Sequence, residues 1–251
     1  MLQPLLYLRS IVLPWVLAIH TFIASIIIWT ILVLRLPRSV ADWAIGQYWC
    51  KTMLILSGIR VEVSGVENLP KDTGFLYLFT HSSHFDIPVM MAHSPRGFRF
   101  GAKSELFKIP VFGHAVALSG TLPITREDRK KVMKVYEEAE KRVANGEVFA
   151  LAPEGGRRTG SEIKPFKSGP FIFAMNAKMP IVPVILCGVS GVMKKGSIRI
   201  NSKQWVRTVG MKFLPAMSME DVTKENLKEF RDGVREIVVK EYELMKNHYL
   251  K

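Results

Sequence analysis

The sequence predicts an α/β fold: a single domain at residues 59–251, built on a mixed β-sheet flanked by helices, with an N-terminal two-helix membrane anchor at residues 1–58. Three observations carry this. Residues 11–34 are an apolar run without Asp, Glu, Lys or Arg. After Gly58, short β-rich runs alternate with amphipathic stretches, and no repeat, low-complexity tract or long linker divides the remainder.

At helical rise the first run extends roughly 36 Å, against ~30 Å for a bilayer's hydrocarbon core. It ends in Arg35-Leu36-Pro37-Arg38 without a small-residue cleavage site, so an uncleaved anchor is expected rather than a secretory signal. Residues 40–59 are less apolar, carry Asp42, Gln47 and Lys51, and cluster Trp43, Tyr48 and Trp49, which favour the headgroup level. Two helices linked at Leu36-Pro37-Arg38-Ser39 would form a hairpin dipping into one leaflet; a single-pass anchor is the alternative. For a crossing helix, Arg35, Arg38, Lys51 and Arg60 against the lone Arg9 place the bulk of the chain on the cytoplasmic side.

Residues 60–63, 74–80, 97–102, 147–151, 181–186, 197–201 and 208–214 read as strands. Between them, residues 128–145 put Val132, Tyr136, Ala139 and Val143 on one helical face, with Gly146 as the stop. A second helix is expected over 221–247, with Leu227, Phe230, Val234, Ile237 and Leu244 as its apolar stripe. The two cysteines, Cys50 and Cys187, both lie in apolar surroundings and form no disulfide framework or metal spacing. With 35 Lys and Arg against 22 Asp and Glu, the net charge of +13 suits nucleic acid, an anionic membrane surface or an anionic substrate. The apolar start favours the membrane over nucleic acid.

The apolar run Phe75-Leu76-Tyr77-Leu78-Phe79 leads straight into Thr80-His81-Ser82-Ser83-His84-Phe85-Asp86, a polar packet at a strand end, where α/β sheets bind ligands. A helix is expected from near Asp86 through Ala92, with Ser82 or Ser83 as N-cap. On one continuous helix, residues five apart would diverge, so His81 should lie outside it. A turn at Ser82-Ser83 would then let Asp86 accept from one imidazole nitrogen and leave the other free as a base. Helix capping alone is the plainer reading of the same residues. Metal ligation by His81, His84 and Asp86 lacks a further His- or Cys-rich partner segment.

Three later segments recur in order: Lys103-Ser104-Glu105-Leu106-Phe107-Lys108-Ile109-Pro110-Val111-Phe112-Gly113 with Leu122-Pro123-Ile124-Thr125-Arg126; Pro153-Glu154-Gly155 with Arg157; and Ile181-Val182-Pro183-Val184. With the His81…Asp86 packet, they resemble the four blocks of the glycerolipid acyltransferase family typified by 1-acylglycerol-3-phosphate acyltransferases, over roughly residues 60–190. Thr80 stands where Asn is common, and Ala152, Gly156 and Arg158 replace Phe, Thr and Ser of the third block. These departures touch headgroup recognition rather than the reaction.

The resemblance implies His81 as general base supported by Asp86, with no acyl-enzyme. It nominates Ser83, Lys103, Arg126, Glu154, Gly155 and Arg157 for the substrates, Glu154 to orient Arg157 or contact glycerol. It implies a lysophospholipid acceptor, an acyl-CoA or acyl carrier protein donor, an anionic membrane surface at the cytoplasmic face of the cell membrane, and neither cofactor, metal nor nucleic acid. Rival readings are acyl transfer to lyso-ornithine lipid, a transacylase, a membrane-bound lipid hydrolase and a noncatalytic tethered binding protein.

Overall fold

The computed structural model describes residues 2–193, 195–201 and 203–250. Helix α1 (Leu2–Val33) starts nine residues before the charge-free run. Its Leu6, Leu13, Leu17, Ala24 and Ile28, at steps of seven and four, are buried, as expected of a helix with one packed stripe. Trp15, Ile19, Phe22 and Ile23 point outward and are exposed.

The chain reverses at Leu34–Pro37 and returns as α2 (Arg38–Trp43), a π-helical turn (Ala44–Cys50) and α3 (Lys51–Ser57), which Gly58 ends with a left-handed cap. Among the described residues one helix, α1, is long and apolar enough to cross a membrane, where the sequence led us to expect a two-helix anchor. The returning segment is held to the domain instead. Asp42 pairs with Arg99 at 2.7 Å, and a Cβ on Gly46 would stand 2.8 Å from the Met91 carbonyl. The polar groups of α1 are answered here too: Trp49 Nε1 donates to Thr21 Oγ1 at 3.1 Å, and the His20 ring bonds the Trp49 carbonyl.

Seven strands follow: β1 (Ile59–Ser64), β2 (Leu76–Phe79), β3 (Arg99–Lys103), β4 (Leu122–Ile124), β5 (Phe149–Leu151), β6 (Ile181–Cys187) and β7 (Arg207–Phe213). They form one sheet in the order β1-β7-β6-β2-β5-β3-β4, parallel except at β6-β7. The connecting helices are α4 (Asp86–His93), α5 (Phe112–Leu118), α6 (Arg129–Val143), α7 (Gly169–Asn176) and α8 (Leu227–Tyr249). Strand alternation divides the core. Phe75, Tyr77 and Phe79 pack with the α1–α4 side, and Leu76 and Leu78 with α6, α7 and α8. From β2 the chain crosses to β3 on one side, and from β5 to β6 on the other. The switch opens a crevice at the carboxyl ends of β2 and β5.

Several expectations change. Residues 197–201 are irregular: β6 and β7 pair directly with each other, and local bonds from Ser197 and Asn201 take the place of a ladder. The three-residue β4, with Pro123 at the sheet edge, was not foreseen. α8 starts at Leu227, because Thr223 and Asn226 close a turn before it. Its buried stripe is Leu227, Val234, Val238 and Tyr242, while Ile237 and Leu244 are exposed. α6 matches expectation, with the Asp128 carboxylate accepting from the Lys131 N–H at 3.0 Å.

Candidate active site

The end of β2 sets the site. Thr80 Oγ1 accepts from the Leu186 N–H at 2.9 Å and donates to the Leu186 carbonyl, pinning the last residue before His81 to β6. The chain then turns, and α4 begins at Asp86, whose side chain is fully buried. Neither serine caps this helix, contrary to the expected N-cap; the bonding is reversed. Asp86 Oδ2 accepts from the Ser82 N–H at 2.6 Å, the Ser83 N–H at 2.8 Å and His81 Nδ1 at 2.8 Å. Facing a carboxylate, Nδ1 carries the proton, and Nε2 is left as the basic nitrogen. Ser83 is fully buried, and its hydroxyl bonds the Met193 carbonyl and the Phe85 N–H. That side chain braces the loop.

The third block wraps the same histidine. Glu154 is buried, not an exposed turn carboxylate, and it does not orient Arg157. Its Oε1 accepts from the His81 N–H at 2.7 Å and from Arg158 Nη1 at 2.9 Å, while Oε2 accepts from the Lys164 N–H at 3.3 Å. The Arg158 N–H returns a bond to the His81 carbonyl at 2.9 Å. Burial opposes charge on Arg158, but Glu154, followed by Tyr242, outweighs it and holds the guanidinium above its ordinary pKa. Arg158 lies 4.7 Å over the Tyr242 ring of α8. Sequence reasoning missed Arg158 as a site residue; its one available signal was a Glu four residues upstream in a segment rich in Gly.

Burial lowers the Arg157 pKa, Asp86 raises it and Arg126 lowers it, so these three charges share one neighbourhood. Arg126 also lies over the loop: a Cβ on Gly156 would stand 3.0 Å from its Nη1. Gly155 adopts a left-handed φ of 73°, keeping the loop backbone close to Lys167. Lys103, at the end of β3 and in register with Ile124 two residues before Arg126, pairs with Glu105 at 2.7 Å, and both are half-exposed.

A cavity of about 450 Å³ is lined by Gly101, Ile124, Val132, Met133, Tyr136 and Leu151 and by the cations Arg126, Arg129 and Lys167. An imidazole held by a carboxylate, two guanidiniums in one neighbourhood and a cavity with an apolar wall and cationic lining together suit proton removal from a hydroxyl on an anionic amphiphile.

Known proteins resemble this chain in sequence and in fold. The acyltransferase family model matches residues 60–187. A 1-acyl-sn-glycerol-3-phosphate acyltransferase of Saccharomyces cerevisiae is 31% identical over 248 residues, covering 94% of this chain and 77% of the relative. A chloroplastic 1-acyl-sn-glycerol-3-phosphate acyltransferase of Brassica napus is 30% identical over 166 residues, covering 66% of this chain and 48% of the relative, so the chain spans about half of that protein. The crystal structure of the 1-acyl-sn-glycerophosphate acyltransferase PlsC from Thermotoga maritima superimposes with a TM-score of 0.74 at 22% identity, covering 94% of this chain and 97% of that one. That likeness establishes the shared fold.

Proposed function

Because this chain belongs to the acyltransferase family, we propose that it moves a fatty acyl group from a thioester to the sn-2 hydroxyl of 1-acyl-sn-glycerol 3-phosphate, forming phosphatidic acid. The observation that carries this reading is His81, with Nδ1 held by Asp86 at 2.8 Å and Nε2 without a protein partner among the described residues, while Arg157 lies near enough to Asp86 and Arg126 to feel both charges. Nε2 takes the hydroxyl proton as the oxygen attacks the thioester carbonyl carbon, and Asp86 supports the imidazolium. As the tetrahedral intermediate collapses, the C–S bond breaks and the imidazolium returns its proton to the departing thiolate.

The amides of His81, Ser82, Ser83 and Arg158 are already engaged with Glu154, Asp86 and the His81 carbonyl. An oxyanion must therefore draw its donors from elsewhere on the loop. The Gly156 and Arg157 amides are two of the loop amides with no protein acceptor among the described residues, and we assign this role to them. Arg126 and Arg157 supply planar donors for the acceptor's phosphate, and the apolar wall of the cavity suits an acyl chain.

Residues 1–58 serve as the membrane-associating part and 59–251 as the catalytic part. The outward face of α1 meets lipid, and for an α1 that crosses the bilayer the Arg35, Arg38, Lys51 and Arg60 bias sets the catalytic part on the cytoplasmic side. The test is purified protein in detergent with lysophosphatidic acid and labelled palmitoyl-CoA or palmitoyl carrier protein, beside His81→Ala. Phosphatidic acid made by the wild type and lost in the variant is expected. Free fatty acid without new phospholipid would replace this reading with a hydrolase.

A further inference from the structure

A second cleft, of about 800 Å³, opens on the other side of the loop that carries Glu154 and Arg158. The loop separates two spaces: Ala152 and Gly155 line the apolar cavity, Arg158 and Thr159 the cleft. Ser82, adjacent to His81, forms part of its wall, and the Ser83–Met193 bond ties that wall to the catalytic turn. Lys195, Arg199, Lys203 and Arg207 line it as well, and no Asp or Glu is among its described lining residues. None of these four has a carboxylate within ion-pair distance among the described residues.

Arg207 is half-buried at the start of β7, and burial lowers its pKa. Partly desolvating a guanidinium without a counter-charge is costly, and an anionic ligand would remove that cost. The first turns of α1 contribute the hydroxyls of Tyr7 and Ser10 to the cleft wall. Several cations spread over this volume suit a ligand with several phosphates better than a single headgroup.

Acyl transfer to a phosphorylated acceptor brings two anionic substrates to one base. Arg126 and Arg157 answer one of them, on the far side of the loop. We propose that this cleft binds the phosphate-bearing nucleotide end of a coenzyme A thioester, with Arg199, Lys203 and Arg207 as its phosphate contacts; the proposal rests on the acyl-transfer reading above. The donor would then lie across the loop, its nucleotide in the basic cleft, its thioester at His81 and its acyl chain in the apolar cavity.

The test compares palmitoyl-CoA with palmitoyl-pantetheine, which carries the same thioester and no phosphate, in wild type and in Arg199→Gln/Arg207→Gln. The ratio of kcat/KM for palmitoyl-CoA to kcat/KM for palmitoyl-pantetheine is expected to fall about tenfold in the variant. A variant that merely folds poorly lowers both values and leaves the ratio alone. Calorimetric titration of free coenzyme A into the detergent-solubilised protein is independent of turnover and should weaken by the same factor. An unchanged ratio with unchanged coenzyme A affinity overturns the proposal, as does turnover with an acyl carrier protein donor alone. Unchanged ratio with lost affinity for phosphatidylglycerol vesicles would assign the cleft to lipid headgroups. Absence of any transfer with unaltered coenzyme A binding by the wild type would sink the acyl-transfer reading and leave the cleft standing.

Discussion

Replacing Arg158 by Met removes one half of a buried ion pair while keeping most of the side chain's volume against Tyr242. The exposures are 1% for the Arg158 side chain and 0% for that of Glu154, so the carboxylate left behind has no route to water. Removing one partner of such a pair costs roughly 3–5 kcal/mol. For a chain of this length that is a fall of roughly 6–20 °C in melting temperature, at about 2–4 °C per kcal/mol. Glu154→Gln/Arg158→Met leaves no charge behind and should regain at least half of the loss. The double variant also keeps an oxygen for the His81 N–H, which Glu154 Oε1 meets at 2.7 Å. Glu154→Ala does not, and it should lower kcat with little change in KM, because the backbone that aims His81 loses its brace. Thermal melts in detergent followed by circular dichroism, with initial rates on the same preparations, measure both. An Arg158→Met melt within about 2 °C of wild type, or a double variant no more stable than the single, would refute the reasoning.

Asp86→Asn keeps the fold but no longer dictates which imidazole nitrogen is protonated, so kcat should fall by about 10³–10⁴-fold; a loss below tenfold would remove Asp86 from the mechanism. Arg157→Ala should raise KM for the lysophospholipid at least about tenfold and leave KM for the thioester nearly unchanged, and equal effects on both would move Arg157 away from the acceptor. Trp15→Ser/Ile19→Ser/Ile23→Ser changes three outward residues of α1, each of which contributes ~1.5–3 kcal/mol when taken out of water. The variant should shift from the membrane pellet to the supernatant with an unchanged melt, and retention in the pellet would show that α1 is not the lipid contact. His93 is half-buried, with Nδ1 bonded to the Val89 carbonyl at 3.1 Å; burial and then Lys51 lower its pKa more than that bond raises it. The unfolded chain therefore takes up the proton first as pH falls below ~6.5, and stability drops there. His93→Asn should flatten that part of a melting-against-pH curve.

Much of this architecture was legible because each pattern had one dominant cause. The α6 face repeats at helical spacing between Asp128 and Gly146, and β2 is so apolar that only a buried strand accommodates it. Spacing put His81 outside the helix, since five residues cannot share a helical face, but the His81–Asp86 pairing needed a turn at Ser82-Ser83 that the spacing did not itself require. What escaped had its cause elsewhere in the chain. Residues 197–201 alternate like a strand, yet β6, the strand before them, already has β2 and β7 as neighbours, so they cannot pair with it. Ile237 and Leu244 look like core positions, but the stripe that packs drifts along the helix to Val238 and Tyr242. Arg158 was read as a departure from the family pattern because burial of a guanidinium depends on Glu154, Tyr242 and the His81 carbonyl meeting it in space.

The same long-range logic bears on how the site meets its substrates. α1 is at once an apolar plate and a part of the core: its inner stripe shares the hydrophobic cluster that holds Phe79 and Phe85, the residues flanking the catalytic turn. The return segment is tied to the sheet by Asp42 to Arg99, and Arg99 in turn reaches Glu147, which also binds Arg142. Arg38 adds bonds to the Leu118 and Ser119 carbonyls after α5. A plate joined this way cannot swing freely, so the angle at which α1 meets lipid also fixes the angle of the crevice. The acceptor must then slide in along a set direction, and loosening Asp42 to Ala should reduce turnover of a long-chain bilayer substrate more than that of a short-chain soluble one. Equal losses on both substrates would mean that the network acts through stability alone.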